Sequence, residues 1–317
     1  MELSIVIPVY NEEKNVEPLI QEINAAVRPL GKPYEIVVVD DGSQDATFNK
    51  LAALHQQEPC LRVVRLKRNF GQTAAIAAGL THAGGDVVVL MDGDAQNDPK
   101  DIPILLAELN KGNDLVCGWR SNRQDSLFSR RLPSLIANRL ISWTTQVKLH
   151  DYGCTLKAMR REVAKDLKLY GEMHRFIPAI AYERGARVAE LKVNHRPRLH
   201  GSSKYGIART LRVVLDLLTV KFLVSYSTRP SHVFGVLGLS SGGLGFLIAV
   251  YLTFQKFAYH ETIGGRPLLL LAILLIFIGF QFITMGLLGE MLSRTYHESQ
   301  DKAIFVVREL LGERKCV

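Results

Sequence analysis

Over the first two hundred positions the apolar residues fall in short runs, and each run ends on a polar cluster. LSIVIPV runs into Tyr10, Asn11 and Glu12, and EIVVV runs into Asp40 and Asp41 followed by Gly42 and Ser43. LRVVRL leads to the segment NFGQTAAIAAGL, and DVVVLM to DGDAQNDP. After the first run the spacing becomes helical, with Val16, Leu19, Ile20 and Ile23 on one face. Strand, loop and helix repeated in this way predict an α/β domain with a mostly parallel sheet and helices on both faces. Uninterrupted runs such as VVVLM suit strands covered on both sides. In such sheets ligands bind beyond the carboxyl ends of the strands, which is where the polar clusters fall. Neither GxGxxG nor GxxxxGK[ST] occurs, which argues against a dinucleotide oxidoreductase and a P-loop NTPase.

The pattern changes after residue 206. From Ile207 to Ser225, Leu211, Leu215, Leu218 and Phe222 recur at helical spacing among Arg209, Arg212, Asp216 and Lys221, which predicts an amphipathic helix (207–228) lying in a headgroup layer. Two chargeless stretches follow, at about 233–254 and 267–289, each long enough to cross a hydrocarbon core of about 30 Å. The expected division is a domain over 1–206, the juxtamembrane helix, a two-helix hairpin within 229–293 and a tail over 294–317. The tail segment KAIFVVREL reads equally as a short strand or a helix. Lys and Arg cluster on both flanks of the hairpin, so both termini and the domain are expected on the cytosolic side of the cytoplasmic membrane. Gly238 and Gly242 stand at the spacing that lets helices approach, either inside the hairpin or between subunits of a homo-oligomer.

Charge and cysteine content narrow the classes. The excess of Lys and Arg over Asp and Glu is eight, which suits an anionic membrane or a phosphorylated substrate as well as nucleic acid; the apolar stretches favour the membrane, and no nucleic acid partner is expected. Four scattered cysteines without a CxxC pair suggest neither a zinc site nor a disulfide framework. MELSIVIPVYNEE has no basic, apolar and small-residue succession, so no secretory signal is expected. Asp92 and Asp94, two apart after a strand, point the same way in extended backbone, and Gln96 adds an amide oxygen. Hard oxygen ligands of this kind suit Mg²⁺ or Mn²⁺, which keeps waters and substrate phosphate oxygens in its shell.

IPVYNEE, VVDDGSQDAT, NFGQTAAIAAGL and MDGDAQNDP, in this order, resemble the inverting family 2 glycosyltransferases of GT-A fold. RQDSLFSRRLPSLIAN, DYGCTLKAMRREV and HRPRLHGSSKYG are similar to the dolichol-phosphate mannose synthase branch, and the two spans to its bacterial polyprenyl-phosphate glucosyltransferases. The resemblance implies a nucleoside pocket at Pro8, Tyr10, Glu12 and Asp40, metal ligands at Asp92, Asp94 and Gln96, and a diphosphate clamp at Arg198 and Lys204. It places the acceptor phosphate at Arg120, Arg131 and Ser134, with Arg123 and Arg130 nearby for anionic headgroups. The reaction it implies is transfer of a hexose, first of all glucose from UDP-glucose, to a polyprenyl phosphate with inversion. GDP-mannose and UDP-aminoarabinose are the alternative donors. An acceptor phosphate is ionised at neutral pH and needs little general base; if an Asp has that place it is Asp94 or Asp151, and Asp151 can equally orient the acceptor loop or the sugar. The family's DADLQ is DGDAQ here, with added backbone freedom expected at Gly93 and a lost apolar anchor at Ala95. A membrane-tethered scaffold that binds sugar nucleotides without catalysis is the reading of another class.

Overall fold

The computed structural model describes residues 2–121, 149–169, 173–197, 230–259, 262, 265–299 and 304–312. By internal contacts the chain forms two units, one of Met1–Val220 with Ala303–Val317 and one of Lys221–Lys302.

The first unit is built on an eight-stranded sheet: β1 Leu3–Val9, β2 Tyr34–Asp40, β3 Leu61–Leu66, β4 Val87–Leu90, β5 Leu115–Trp119, β6 Lys157–Arg160, β7 Val188–Lys192 and β8 Val307–Leu311. The order across the sheet is β7-β5-β6-β4-β1-β2-β3-β8. The four strands expected from the apolar runs are all parallel neighbours, β4-β1-β2-β3, so their carboxyl ends share one edge. β6 enters antiparallel between β4 and β5, while β7 lies parallel to β5. β1 and β2 are buried at every position, as strands covered on two faces require. Pro8 sits in a central strand without harm. The last pair with β4 is Val6 opposite Leu90, and Pro8 lies past it, so its missing N–H leaves no gap in that ladder.

Helices α1 Val16–Val27, α2 Thr47–Gln57, α3 Gln72–His82, α4 Ile102–Asn110, α5 Arg161–Asp166 and α6 Ile177–Glu183 connect the strands. α1 buries Val16, Leu19, Ile20 and Ile23, the face its spacing predicts. α3 is rich in Ala because it lies close to the sheet: a Cβ on Gly79 would come 2.2 Å from Val6 Cγ1. The C-terminal segment resolves as β8, antiparallel to β3 with Arg65 opposite Glu309. Its alternating pattern is short, and its pairing with β3, far earlier in the chain, decides strand over helix.

The second unit consists of α7 Pro230–Tyr259 and α8 Pro267–Ser299, both long and apolar enough to cross a membrane. In their most apolar windows only 17% and 11% of the residues are buried. Gly238 and Gly245 are spent inside the hairpin, since a Cβ would lie 2.7 Å from the carbonyl oxygens of Gly279 and Ala272, respectively. A Cβ on Gly279 would in turn meet the Gly242 backbone, and Gly235 and Gly243 face open space. The expected amphipathic helix at 207–228 lies outside the described residues.

Candidate active site

The parallel strands deliver four loops to one edge of the sheet, and these loops hold one another. Asn11 adopts a left-handed φ of 56°; its N–H donates to Ser43 Oγ at 2.9 Å and its Oδ1 accepts from Gln44 N at 2.9 Å. Glu12 N donates to Thr47 Oγ1, and Glu13 Oε2 accepts from Ala46 N. Tyr10, half-buried, is the first residue past β1, and the Glu12 carboxylate accepts from Asn15 Nδ2 at 2.6 Å. Pro8, Tyr10 and Glu12 therefore lie on the segment locked to the DGSQDAT loop that follows Asp40.

Asp40 is fully buried at the end of β2. Its Oδ1 accepts from Ser43 N at 2.9 Å, whereas Oδ2 is closed from solvent and has no hydrogen bond; Arg65 Nε stands 3.8 Å away. Asp41 does different work. Its two oxygens accept from Phe70 N and Gly71 N at 2.7 and 2.9 Å, fixing the turn into α3. The first residue of α3, Gln72, then reaches across and donates from Nε2 to Asp92 Oδ1 at 2.8 Å.

Asp92 and Asp94 follow β4 as expected. Thr155 Oγ1 donates to Asp92 Oδ2 at 2.6 Å, and Gln96 N donates to Asp94 Oδ1 at 3.2 Å. Desolvation first, and the charge of Asp94 second, push the Asp92 carboxyl up to about 6, against the pull of the Thr155 hydroxyl and the Arg120 and Lys157 cations. Gly93 has an ordinary φ. Its role is close approach, since a Cβ would come 2.5 Å from Val9 Cγ1 and 3.0 Å from Pro8 O. Ala95 carries the left-handed turn, φ 59°, and is itself buried, so the loop is seated by backbone shape rather than by a large apolar side chain. Gln96 Nε2 donates to Arg196 O at 3.5 Å, and Arg196 N donates back to Gln96 O at 2.9 Å. Arg196 also pairs with Asp98 and Glu22 at 2.7 and 2.6 Å, which ties the acidic loop to α1.

These observations test whether a divalent ion fits. Among the described residues no group of three or more His, Cys, Asp or Glu side chains gathers around a point. Two neighbouring carboxylates, one of them raised by burial and then by the charge of the other, do fit Mg²⁺ or Mn²⁺, provided that phosphate oxygens and water complete the shell.

Asp151 and Arg120 form a separate pair. Arg120 Nε and Nη2 donate to the two Asp151 oxygens at 2.6 and 3.0 Å, and Gly153 N adds a third bond. Asp151 is 3% exposed. Despite burial, bonding to this carboxylate holds the Arg120 guanidinium above its ordinary range. The loop around Asp151 is braced by Glu190, which accepts from His150 N and Asp151 N, and by His150 stacked on Trp119 at 4.2 Å. Buried Cys117 and Cys154 are pushed up to about 12 and about 11 by desolvation, so neither is a nucleophile at neutral pH.

The edge thus gathers Pro8 and Asp40 at the ends of β1 and β2, Tyr10 and Glu12 in the interlocked loops, and Asp92, Asp94 and Gln96 on the β4 loop, with Arg120 just past β5 and Asp151 on the loop before β6. Arg123, Arg130, Arg131, Ser134, Arg198 and Lys204 lie outside the described residues. Gln72 and Thr155 escaped sequence reasoning although they hold Asp92. Their only signal was a place in motifs that also carry the resemblance.

A mostly parallel sheet with an acidic loop at the strand ends is the architecture of the GT-A sugar transferases. The structure is similar to glucosyl-3-phosphoglycerate synthase of Mycobacterium tuberculosis solved with Mn²⁺ and uridine-diphosphate-glucose, with a TM-score of 0.56, 21% identity, and 69% of this chain and 78% of that chain covered. Glycosyl transferase family 2 matches residues 4–168, and the chain belongs to that family. It is 48% identical to dodecaprenyl-phosphate galacturonate synthase of Rhizobium johnstonii over 99% of this chain and 94% of that protein. With undecaprenyl-phosphate 4-deoxy-4-formamido-L-arabinose transferase of Pseudomonas fluorescens it shares 40% identity over 98% of this chain and 90% of that one.

Proposed function

We propose that this glycosyltransferase moves a sugar from a nucleotide donor to a polyprenyl phosphate in the membrane, with inversion. The observation that carries the reading is the pair Asp92 and Asp94, two carboxylates two residues apart on the loop after β4 at the strand ends, of which Asp92 is raised by burial first and by its neighbour's charge second. Support for the lipid acceptor comes from similarity that runs the whole length of the chain, both apolar helices included, to proteins named for polyprenyl phosphates. In this reading α7 and α8 span the membrane, with the first unit on its cytosolic side. Glucose, the donor sugar expected at first, has no support in these relatives' names; galacturonate takes its place, with 4-deoxy-4-formamido-arabinose, the formylated form of the aminoarabinose alternative, second.

Asp92 and Asp94, with Gln96, would hold Mg²⁺ or Mn²⁺, which when bound supplies positive charge against the donor diphosphate. Asp40 accepts an imino N–H of the base, and Tyr10 lies against the nucleoside. Arg198 and Lys204 would bind the diphosphate, and Arg131 and Ser134 the acceptor phosphate. One acceptor phosphate oxygen attacks the anomeric carbon from the face opposite the leaving group. The new C–O bond forms as the old one breaks, and its electron pair leaves with the nucleoside diphosphate. The nucleophile is already an anion, so no proton has to be removed. Asp151, whose two oxygens accept from Arg120, is accordingly a positioning residue, and Arg120 would offer its remaining N–H groups to the acceptor phosphate.

Purified protein incubated with Mn²⁺, a polyprenyl phosphate and labelled UDP-galacturonate, UDP-glucose, UDP-aminoarabinose or GDP-mannose tests this directly. Labelled lipid from UDP-galacturonate above the others is expected. Another preferred donor would revise the sugar, and tight nucleotide binding without lipid product from any donor would replace the enzyme by a scaffold.

A further inference from the structure

Across the donor edge of the sheet, three charged residues stand side by side on three adjacent strands: Asp40 on β2 is in register with Arg65 on β3, and Arg65 with Glu309 on β8. Arg65 Nε lies 3.8 Å from Asp40 Oδ2, and Arg65 Nη1 lies 3.9 Å from Glu309 Oε2. Both separations exceed the 2.7–2.9 Å of a committed charge-assisted bond, so the guanidinium is shared between two carboxylates and belongs fully to neither. The Phe48 ring, 4.0 Å from its centre, supports it from one side.

The two carboxylates differ. Asp40 Oδ2 is sealed from solvent without a hydrogen bond, whereas Glu309 is on the surface with its side chain 46% exposed. If Asp40 is to accept an N–H from a base, as the proposed function requires, its covering cation has to give up that oxygen. Releasing a buried carboxylate's cation into water with no second partner would cost affinity. A carboxylate one strand away removes most of that cost.

We propose that Glu309 is a positioning residue for donor recognition: it takes Arg65 when the nucleotide base takes Asp40. Its place is set by the fold. β8 is bound to β3 by its ladder and by Lys67 N donating to Val306 O at 2.9 Å. Arg62 Nε donates to Gly312 O at 3.4 Å, and Gly312 has a φ of 89° with His55 where a Cβ would stand. The strand follows the apolar hairpin in sequence, so a residue far along the chain acts on the carboxylate at the end of β2.

The test is calorimetric titration of the full-length protein in detergent with Mn²⁺ and whichever of UDP or GDP the wild type binds more tightly. Glu309→Gln should weaken that nucleotide about threefold, the scale of one partly exposed ion pair, with an unchanged melting temperature and an unchanged kcat at saturating donor. In an Arg65→Gln background the same substitution should change nothing, because the shared cation is gone. Unaltered affinity in Glu309→Gln, or an equal loss with and without Arg65, overturns the proposal. The inference rests on the reading of Asp40 as the base contact. A wild type that makes labelled lipid while Glu309→Gln binds normally defeats this inference alone; a wild type that makes no lipid defeats the proposed function.

Discussion

Two carboxylates of the same sheet, Glu35 at the start of β2 and Asp92 at the end of β4, meet opposite fates. Burial would raise Glu35, but Ser4 Oγ at 2.6 Å, Arg62 Nη1 at 2.8 Å and Gly84 N at 2.6 Å donate to it, and the result is a carboxyl below its ordinary value. Asp92 accepts two hydrogen bonds, but burial first and the neighbouring Asp94 second raise it to about 6. At one end of the sheet the charge is satisfied by the fold. At the other it is left in deficit, and a site meant for a cation needs that deficit.

The comparison can be broken at either end. Arg62→Ala should cost the most, about 3–5 kcal/mol of stability, because it leaves Glu35 charged and buried without its cation; a small shift in melting temperature would show that the pair is not structural. Asp94→Asn should lose about 10²-fold in turnover, the scale of one removed electrostatic stabiliser, with the melting temperature unharmed. Wild-type turnover would remove Asp94 from the mechanism. The smallest effect has a telling sign. A carboxyl raised in the folded state makes the metal-free protein less stable as pH climbs from about 4 to about 6, whereas Glu35, lowered, contributes stability above its unfolded value that is lost as pH falls through its folded one. Asp92→Asn should therefore stabilise the metal-free protein by about 1 kcal/mol at pH 7 in thermal denaturation, and a loss of stability would contradict the deficit.

Much of this edge was legible in the chain because β1 to β4 are apolar runs that stop on polar clusters, and parallel strands put those clusters together. β6 and β7, KAMR and VAELK, are four and five residues long, charged at both ends and at one end respectively, and nothing in so short a pattern separates them from loops. Gly93 was read as a source of backbone freedom, but contact with β1 is the reason for it, and only the paired strands reveal that. Gln72 and Thr155 reach Asp92 from 20 and 63 residues away. Glu309 reaches Arg65 only through the β3–β8 pairing. Hydrogen bonds of that range depend on register, which local spacing does not encode.

The central claim is that Asp92 and Asp94 hold a divalent ion for the donor, and the direct measurement is lipid product formed by chelator-treated protein as Mn²⁺ or Mg²⁺ is added back. The account predicts no product until the ion returns, full recovery in the wild type and a recovered rate about 10²-fold lower in Asp94→Asn. An undiminished rate in excess chelator would contradict it.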